Sequence, residues 1–563
     1  MEQAYDVVVL GSGAAGLTAA LSAAVEGATV AVFEKADQVG GTSALSGAGI
    51  WVPANQLAGE AGIEDSRERG LEYLLSLSNG MIITELAEAL VDGGPQLIDF
   101  LHQHTEIRLQ LVAGYPDYHP EHPGGLPGGG RTLEPGLVSL AGLGEWCDRI
   151  AGDVRRTMLV ESPLGGGTGA VAPEVLAERE RAKLEGQGRA LVGGLLKACL
   201  AYGVRVRASS RGTRLLTRDG VVRGVRLETT QGPQSVRAGA VVLATGGFEY
   251  DADLVRDFLR GPLTRAIGAV SNTGDGLRMA MRVGAQLGNM REAWWSPVIT
   301  LPGQRHDGGR NGLLASRERA LPGSIMVNRY GRRFANEAAN YNAFGGAFHQ
   351  LDESRLEYPN VPAYLIFAQS TVDRFGVFGG APGDAVPAWV TRAGTLDELA
   401  GALGIPPAGL RATVERFNGH ARQGADPDFT RGASTFDRFP GGRMTDPDSP
   451  FATLGPLETG PFYGAEVACS ALGTKGGPRT DRDGRVLDVD GDVIDGLYAA
   501  GNVMASPSGM VYGGAGATLV VAGVWGLYAG RAAVRDRAAA CAPGPPGAGQ
   551  VPHRDEREEG YRG

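Results

Sequence analysis

The stretch Asp6-Val-Val-Val-Leu10-Gly11-Ser-Gly13-Ala-Ala-Gly16, followed by a small-residue run to Val25, Gly27, Thr29-Val-Ala-Val-Phe33 and Glu34, decides the fold. Residues 6–10 form a β-branched apolar run of the kind that makes a fully buried strand, and residues 17–25 continue as a helix that Gly27 ends. Residues 29–33 read as a second strand with Glu34 at its tip. Gly11 permits the tight turn, Gly13 lets the backbone approach a pyrophosphate, and Gly16, with Ala20 one turn on, lets helix pack on sheet. The helix start offers unpaired N–H groups, from Ala14 and Ala15 among others, to an anion. Glu34 can accept from both ribose hydroxyls and repels a 2′-phosphate, and Lys35 stands beside it.

A second small-residue stretch, Gly40-Gly41-Thr42-Ser43-Ala44-Leu45-Ser46-Gly47-Ala48-Gly49, follows directly. Such a loop can lie flat against a large planar group while offering N–H and hydroxyl donors. A nicotinamide needs no such second cradle and an isoalloxazine does, so FAD is expected, with contacts at Gly41, Thr42, Ser43, Ser46 and Gly47.

The 563 residues exceed one core, so two domains or a discontinuous domain with an insert are expected. A net charge of −10 argues against a nucleic-acid partner. No run of 18 apolar residues suggests a transmembrane helix, and Met-Glu-Gln-Ala-Tyr-Asp lacks a basic leader region. The four cysteines and eight histidines show no ligand spacing, so reduced cytoplasmic thiols and no metal are expected.

Residues 56–105 read mostly as helices, broken at Gly93-Gly94-Pro95 so that a second helix starts there. The Pro- and Gly-rich loop from Tyr115 to Gly125 is too aromatic for a floppy linker, whereas residues 136–185 read as a surface excursion. A buried strand at residues 240–244 ends in Thr245-Gly246-Gly247, where a dinucleotide would be touched again, and Asp275 opens the helix beyond. Residues 272–451 carry no second nucleotide fingerprint and read as an α+β insert, with Arg333-Phe-Ala-Asn-Glu337 among its elements. Small-residue character returns at Leu497-Tyr-Ala-Ala-Gly501-Asn502, and a nearly uncharged helix over 516–531 places Ala517, Thr518 and Leu519 at a start open to the cofactor. The expected architecture is α/β: a Rossmann-like FAD-binding domain (1–271 and 452–541), a substrate domain (272–451) and a disordered tail (542–563).

With these motifs in place the chain resembles the fumarate reductase/succinate dehydrogenase flavoprotein superfamily, and several segments are similar to those of 3-ketosteroid Δ1-dehydrogenases. They are Tyr115-Pro-Asp-Tyr118-His-Pro-Glu, Gly130-Arg131-Thr-Leu-Glu134-Pro135, Glu292-Ala-Trp-Trp295 and Asn336-Glu-Ala-Ala-Asn-Tyr341. Asp426-Pro-Asp-Phe-Thr-Arg431-Gly, Leu472-Gly-Thr-Lys475-Gly-Gly477 and Tyr512-Gly-Gly-Ala-Gly516-Ala-Thr518 complete the set. The resemblance implies that Tyr512 and Gly516 bind a substrate carbonyl and that Tyr341 and Tyr118 remove a proton. Leu472-Gly473 stands where the fumarate reductases carry a histidine, which counts against a dicarboxylate substrate. Residues 36–50 lack the histidine that tethers flavin in succinate dehydrogenases, so FAD is expected to be non-covalent.

The chemistry so implied is removal of an α-proton and a β-hydride beside a ketone, with 3-oxosteroid 1-dehydrogenation first. An ene reductase, a desaturase of another cyclic ketone and a flavoprotein without turnover are the alternatives. The expected partner is a small apolar ketone. A peripheral membrane contact stays open, and neither electron acceptor nor oligomeric state is assigned. Trp294, Trp295 and Phe344 are candidates for an apolar cleft, and Arg431 for either catalysis or a salt bridge between domains.

Overall fold

The computed structural model describes residues 3–167, 169–301, 312–442 and 446–541; the tail expected at 542–563 lies outside them. The strand Gln3–Leu10 sits at the centre of an eight-stranded sheet. It pairs in parallel with Val30–Phe33 on one side and Gly232–Leu243 on the other, with Val7 opposite both Val30 and Ala240. Val493–Ala499 extends the parallel region beyond Gly232–Leu243. At the centre of the sheet residues 7–10, 30–33 and 240–243 are buried on both faces, which is why they are unbroken apolar runs there, whereas the first part of Gly232–Leu243 alternates between less and more exposed residues. The hairpin Ser210–Arg218 and Val221–Thr229 joins antiparallel, turning at Asp219-Gly220 as expected.

The helix Ala14–Val25 crosses between the first two strands and packs against the C-terminal helix Ala517–Cys541. Their approach depends on small residues: a Cβ at Gly526 would meet the Ala15 carbonyl oxygen at 2.6 Å, and one at Gly530 the Ala19 carbonyl oxygen at 2.4 Å. The segment Ala517–Ala539 is long and apolar enough to cross a membrane by length and composition alone, and it is mostly buried inside the protein.

The second sheet is antiparallel and runs in the order Gly312–Leu314, Ala293–Thr300, Phe462–Thr474, Ala363–Ala368, Ser324–Asn328. Its longest strand, Phe462–Thr474, comes from the segment assigned by sequence to the FAD-binding half, so this sheet extends past residue 451. That strand then delivers Thr474 and Lys475 to the seam between the sheets.

Three local expectations change. A single helix, Thr84–His104, runs through Pro95. Its glycines earn their place by packing, since a Cβ at Gly93 would meet Val524 at 2.5 Å and one at Gly94 would meet Val52 at 2.6 Å. The loop after Glu34 contains a short helix, Gly41–Leu45. Residues 333–337 form no regular element, because their polar side chains are committed to a buried ion network.

Candidate active site

One cavity of about 630 Å³ runs from the first βαβ unit to the seam between the sheets. At the nucleotide end its wall includes Gly11, Gly13, Ala14, Ala15, Glu34 and Lys35. Gly11 has φ +104°, and a Cβ there would meet the Ala244 carbonyl oxygen at 2.3 Å, so only glycine makes this turn. Gly16 is not on the wall; a Cβ on it would meet the Gly11 carbonyl oxygen at 2.0 Å, which gives it the packing role expected. Gly13 has no side chain with which to cap the helix, but the Ala14 N–H, expected to be unpaired, donates to Ser43 Oγ at 3.0 Å. Uncapped N–H groups at a cavity wall form an anion site.

Glu34 is buried and oriented by Ser12, whose N–H and hydroxyl donate to Oε2 at 2.9 and 2.6 Å, and by the Ala36 N–H on Oε1 at 2.9 Å. Lys35 pairs with Asp275 at 3.0 Å, and Arg211 pairs with the same carboxylate at 2.6 Å. Gly41, Thr42, Ser43, Ser46 and Gly47 follow along the wall, then Thr245, Gly246, Gly501, Asn502, Thr518 and Leu519. Ala517 is buried off the wall, and its N–H donates to the Gly514 carbonyl. A Cβ at Gly516 would lie 2.1 Å from the carbonyl of Gly49, so the second small-residue stretch and the C-terminal helix start are pressed together. The glycine turn at the helix start, the oriented Glu34 and the long small-residue wall fit a flavin dinucleotide.

At the other end three phenols meet. The rings of Tyr118, Tyr341 and Tyr512 are edge-on to one another, with centroids 5.4, 5.2 and 5.5 Å apart for the pairs 118–341, 118–512 and 341–512. All three are buried and all line the cavity, together with Gly516. Local chemistry places each one. Tyr118 leaves a Pro-rich loop that is zipped to the Tyr512 loop: its N–H donates to the Gly513 carbonyl at 3.0 Å, and Tyr73 donates to the same oxygen at 2.7 Å. Behind that loop Asp117 accepts from Trp51 at 2.7 Å and from Arg131 at 2.8 Å, and Arg131 pairs with Asp65 at 2.6 Å. Tyr341 starts the helix Tyr341–Gly346, capped by Asn340, whose side chain accepts from the Ala343 N–H at 2.9 Å. The Asn340 amide also stands 3.1 Å from His119 Nε2, tying this helix to the Tyr118 loop.

Burial pushes all three phenol pKa values above the ordinary tyrosine value, those of Tyr118 and Tyr341 well above it. For Tyr512 the rise is opposed by Thr518, whose hydroxyl donates to the phenol oxygen at 2.9 Å, and by the N–H groups of Gly516 and Thr518 facing it. The Tyr118 hydroxyl is buried with no hydrogen-bond partner.

Sequence reasoning missed several wall residues. Tyr115, three residues before Tyr118, lines the cavity, and burial raises its pKa. Arg155, Leu159 and Leu164 also line it; they come from the stretch read as a surface excursion, and Arg155 donates to the Ser46 carbonyl at 3.1 Å. Their signal in sequence is faint, because Arg155 and Leu159 sit in irregular backbone and Leu164 in a single 3-10 turn, Pro163–Gly165. Trp294, Trp295 and Phe344 are buried behind the wall rather than on it. Arg431 is wholly buried off the cavity wall, where it pairs with Glu337 at 3.2 Å and donates to Thr453, just past residue 451, at 3.1 Å. Among the described residues no cluster of His, Cys, Asp and Glu is placed to hold a metal, and Cys147, Cys199 and Cys469 are free.

The FAD binding domain family model matches residues 6–519. A 4-oxocyclohexanecarboxylate 2-dehydrogenase of Sinomonas cyclohexanicum is 43% identical, the match covering 94% of this chain and 92% of that one. A 3-oxosteroid 1-dehydrogenase of Mycobacterium tuberculosis is 39% identical over 94% of this chain and 98% of its own. The crystal structure of a 3-ketosteroid Δ1-dehydrogenase from Sterolibacterium denitrificans, in complex with 1,4-androstadiene-3,17-dione, superposes with a TM-score of 0.86 at 32% identity, covering 95% of this chain and 100% of that one. The chain therefore belongs to the FAD-binding domain family and, within it, to the 3-oxosteroid 1-dehydrogenase family, and it is an FAD-dependent dehydrogenase.

Proposed function

We propose that the protein introduces a carbon–carbon double bond α,β to the carbonyl of a cyclic ketone, with a 3-oxosteroid as substrate and Tyr118, Tyr341, Tyr512 and Gly516 as the acting groups. The observation that carries this is the meeting of the three phenols and the Gly516 amide at one end of the flavin cavity. When bound, FAD supplies the hydride acceptor. Its attachment is non-covalent in this reading, since residues 36–50 include no histidine.

Tyr512 accepts from Thr518, which leaves its own proton to donate to a ketone oxygen, and its raised pKa keeps that proton in place at neutral pH. The Gly516 N–H is the second donor. Each well-aimed donor in such an oxyanion site stabilises the transition state by roughly 3–4 kcal/mol, which is what acidifies the α-carbon. Burial keeps Tyr341 protonated as well, so it works as a relay: it takes the α-proton while passing its own to the Tyr118 oxygen, which has no competing partner. Tyr118 gives up its own proton in turn to the buried phenol of Tyr115, which lines the same cavity, and the relay ends with a proton released to water.

A second reading, a monocyclic oxo acid in place of a steroid, is favoured by the 43% identity to the 4-oxocyclohexanecarboxylate 2-dehydrogenase. The same phenols serve both. Incubating the holoenzyme with an artificial electron acceptor and either ketone decides between them: the substrate returns a product lighter by two hydrogens. Conversion of the oxo acid alone replaces the steroid, and conversion of neither overturns the proposal.

A further inference from the structure

Lys475 has no solvent exposure, and its Nζ donates to the carbonyl of Val511, the residue before Tyr512, at 2.6 Å. The ammonium stands 3.9 Å from the centre of the Trp294 ring. Trp294 in turn packs edge-on against Tyr512, with ring centroids 4.8 Å apart, and donates from Nε1 to Asn502 Oδ1 at 3.0 Å on the cavity wall. One buried cation therefore touches both the backbone and the ring that fix Tyr512. The charged groups facing it are Glu292, whose main-chain oxygen accepts from the Lys475 N–H at 2.9 Å, and Arg260, which pairs with Glu292 at 3.4 Å.

A buried ammonium is costly, and a methionine fills similar space without that cost, so packing alone does not account for a lysine here. Its place does. Negative charge developing on a ketone oxygen held by Tyr512 is stabilised by a cation in the same low-dielectric region. We propose that Lys475 is a positioning residue of the dehydrogenation, fixing the Tyr512 loop and supporting enolate formation with its charge. The inference rests on the reaction proposed above. Burial draws the Lys475 pKa down to about 7, with Glu292 opposing and Arg260 reinforcing the fall, so the supporting charge is lost as pH rises through that value.

The test is the rate of flavin bleaching on anaerobic mixing with the ketone substrate, followed from pH 5.5 to 9. Lys475→Met is expected to keep its flavin and slow bleaching at least tenfold at pH 6, and Lys475→Arg to stay within threefold of the wild type. A Lys475→Met rate within twofold of the wild type, or a Lys475→Arg rate as slow as that of Lys475→Met, overturns the proposal. If Lys475→Met yields no folded holoenzyme, Glu292→Gln decides. Losing that carboxylate lowers the Lys475 pKa further, so the alkaline fall in rate moves to lower pH by at least half a unit, and an unmoved profile overturns the role. Absence of bleaching in the wild type with every cyclic ketone is a different result, and it removes the underlying reaction.

Discussion

Two buried polar assemblies, the ion network around Glu337 and the phenol triangle, are built on opposite rules. In the ion network, Arg333 donates to Glu337 at 2.6 Å and to Asp426 at 2.8 Å, while Arg431 reaches Glu337, Thr453 and the carbonyls of Ser324 and Leu321. Burial alone would raise the Glu337 and Asp426 pKa values, but the arginines outweigh it and hold both below the usual carboxylate range. Every charge there has an opposite charge and a hydrogen bond. The phenol triangle is equally buried, yet its groups are neutral, the Tyr118 hydroxyl has no partner, and all three rings face a cavity. A satisfied network holds a fold, whereas an orphaned hydroxyl costing about 1–3 kcal/mol persists where a ligand or a relay completes it.

Substitutions should separate the two. Tyr341→Phe is expected to lower the rate of flavin bleaching by roughly 10²–10⁴, the usual worth of a positioned acid–base group, with flavin content unchanged. Tyr512→Phe, which removes one oxyanion donor, should cost about 10²–10³ in the same assay. Arg431→Met should behave in the reverse way. Leaving Glu337 short of a cation destabilises the protein by roughly 3–5 kcal/mol in urea unfolding, while the bleaching rate of the folded fraction stays within a few-fold of the wild type. A large rate loss with unchanged stability would place Arg431 in the chemistry after all. Tyr118→Phe is the sharpest small test: stability should hold or rise, since the lost hydroxyl had no partner, while the rate falls about tenfold.

Glu249 offers a comparison by pH. It is fully buried beside Asn272, which donates to it at 2.7 Å, and burial raises its pKa from 4.5 to about 7. A carboxyl whose pKa is raised on folding contributes stability that is complete below its unfolded value and is lost as pH rises through about 7. Glu337 and Asp426 have the opposite sign: their contribution is present above the unfolded carboxylate values near 4 and disappears as pH falls through their lowered ones. Glu249→Gln should therefore lose less Tm than the wild type between pH 5 and 8, and an equal loss would remove Glu249 as the source.

The nucleotide half was legible because its chemistry is local. Strand, glycines, helix and acid follow one another within 29 residues, and the backbone alone dictates which residues fit. The phenol site could not be assembled that way. Tyr118, Tyr341 and Tyr512 come from three distant segments, and only resemblance grouped them before the fold brought their rings within 5.5 Å of one another. Arg155, Leu159 and Leu164 stayed hidden because an irregular stretch carries no periodicity to say which side faces inward. The continuous helix through Pro95 was hidden for a tertiary reason, since Gly93 and Gly94 are spaces for Val524 and Val52. The strand Phe462–Thr474 shows the same limit, its sheet being chosen by partners that lie far away in sequence.

The most direct test of the central claim is anaerobic mixing of the yellow holoenzyme with a cyclic ketone carrying deuterium at the α-carbon. The account predicts bleaching of the flavin at a rate slowed by the label, together with release of that deuterium to water. In Tyr341→Phe both bleaching and deuterium release should slow by roughly 10²–10⁴. Bleaching that ignores the α-label and persists unchanged in Tyr341→Phe and Tyr512→Phe would contradict it.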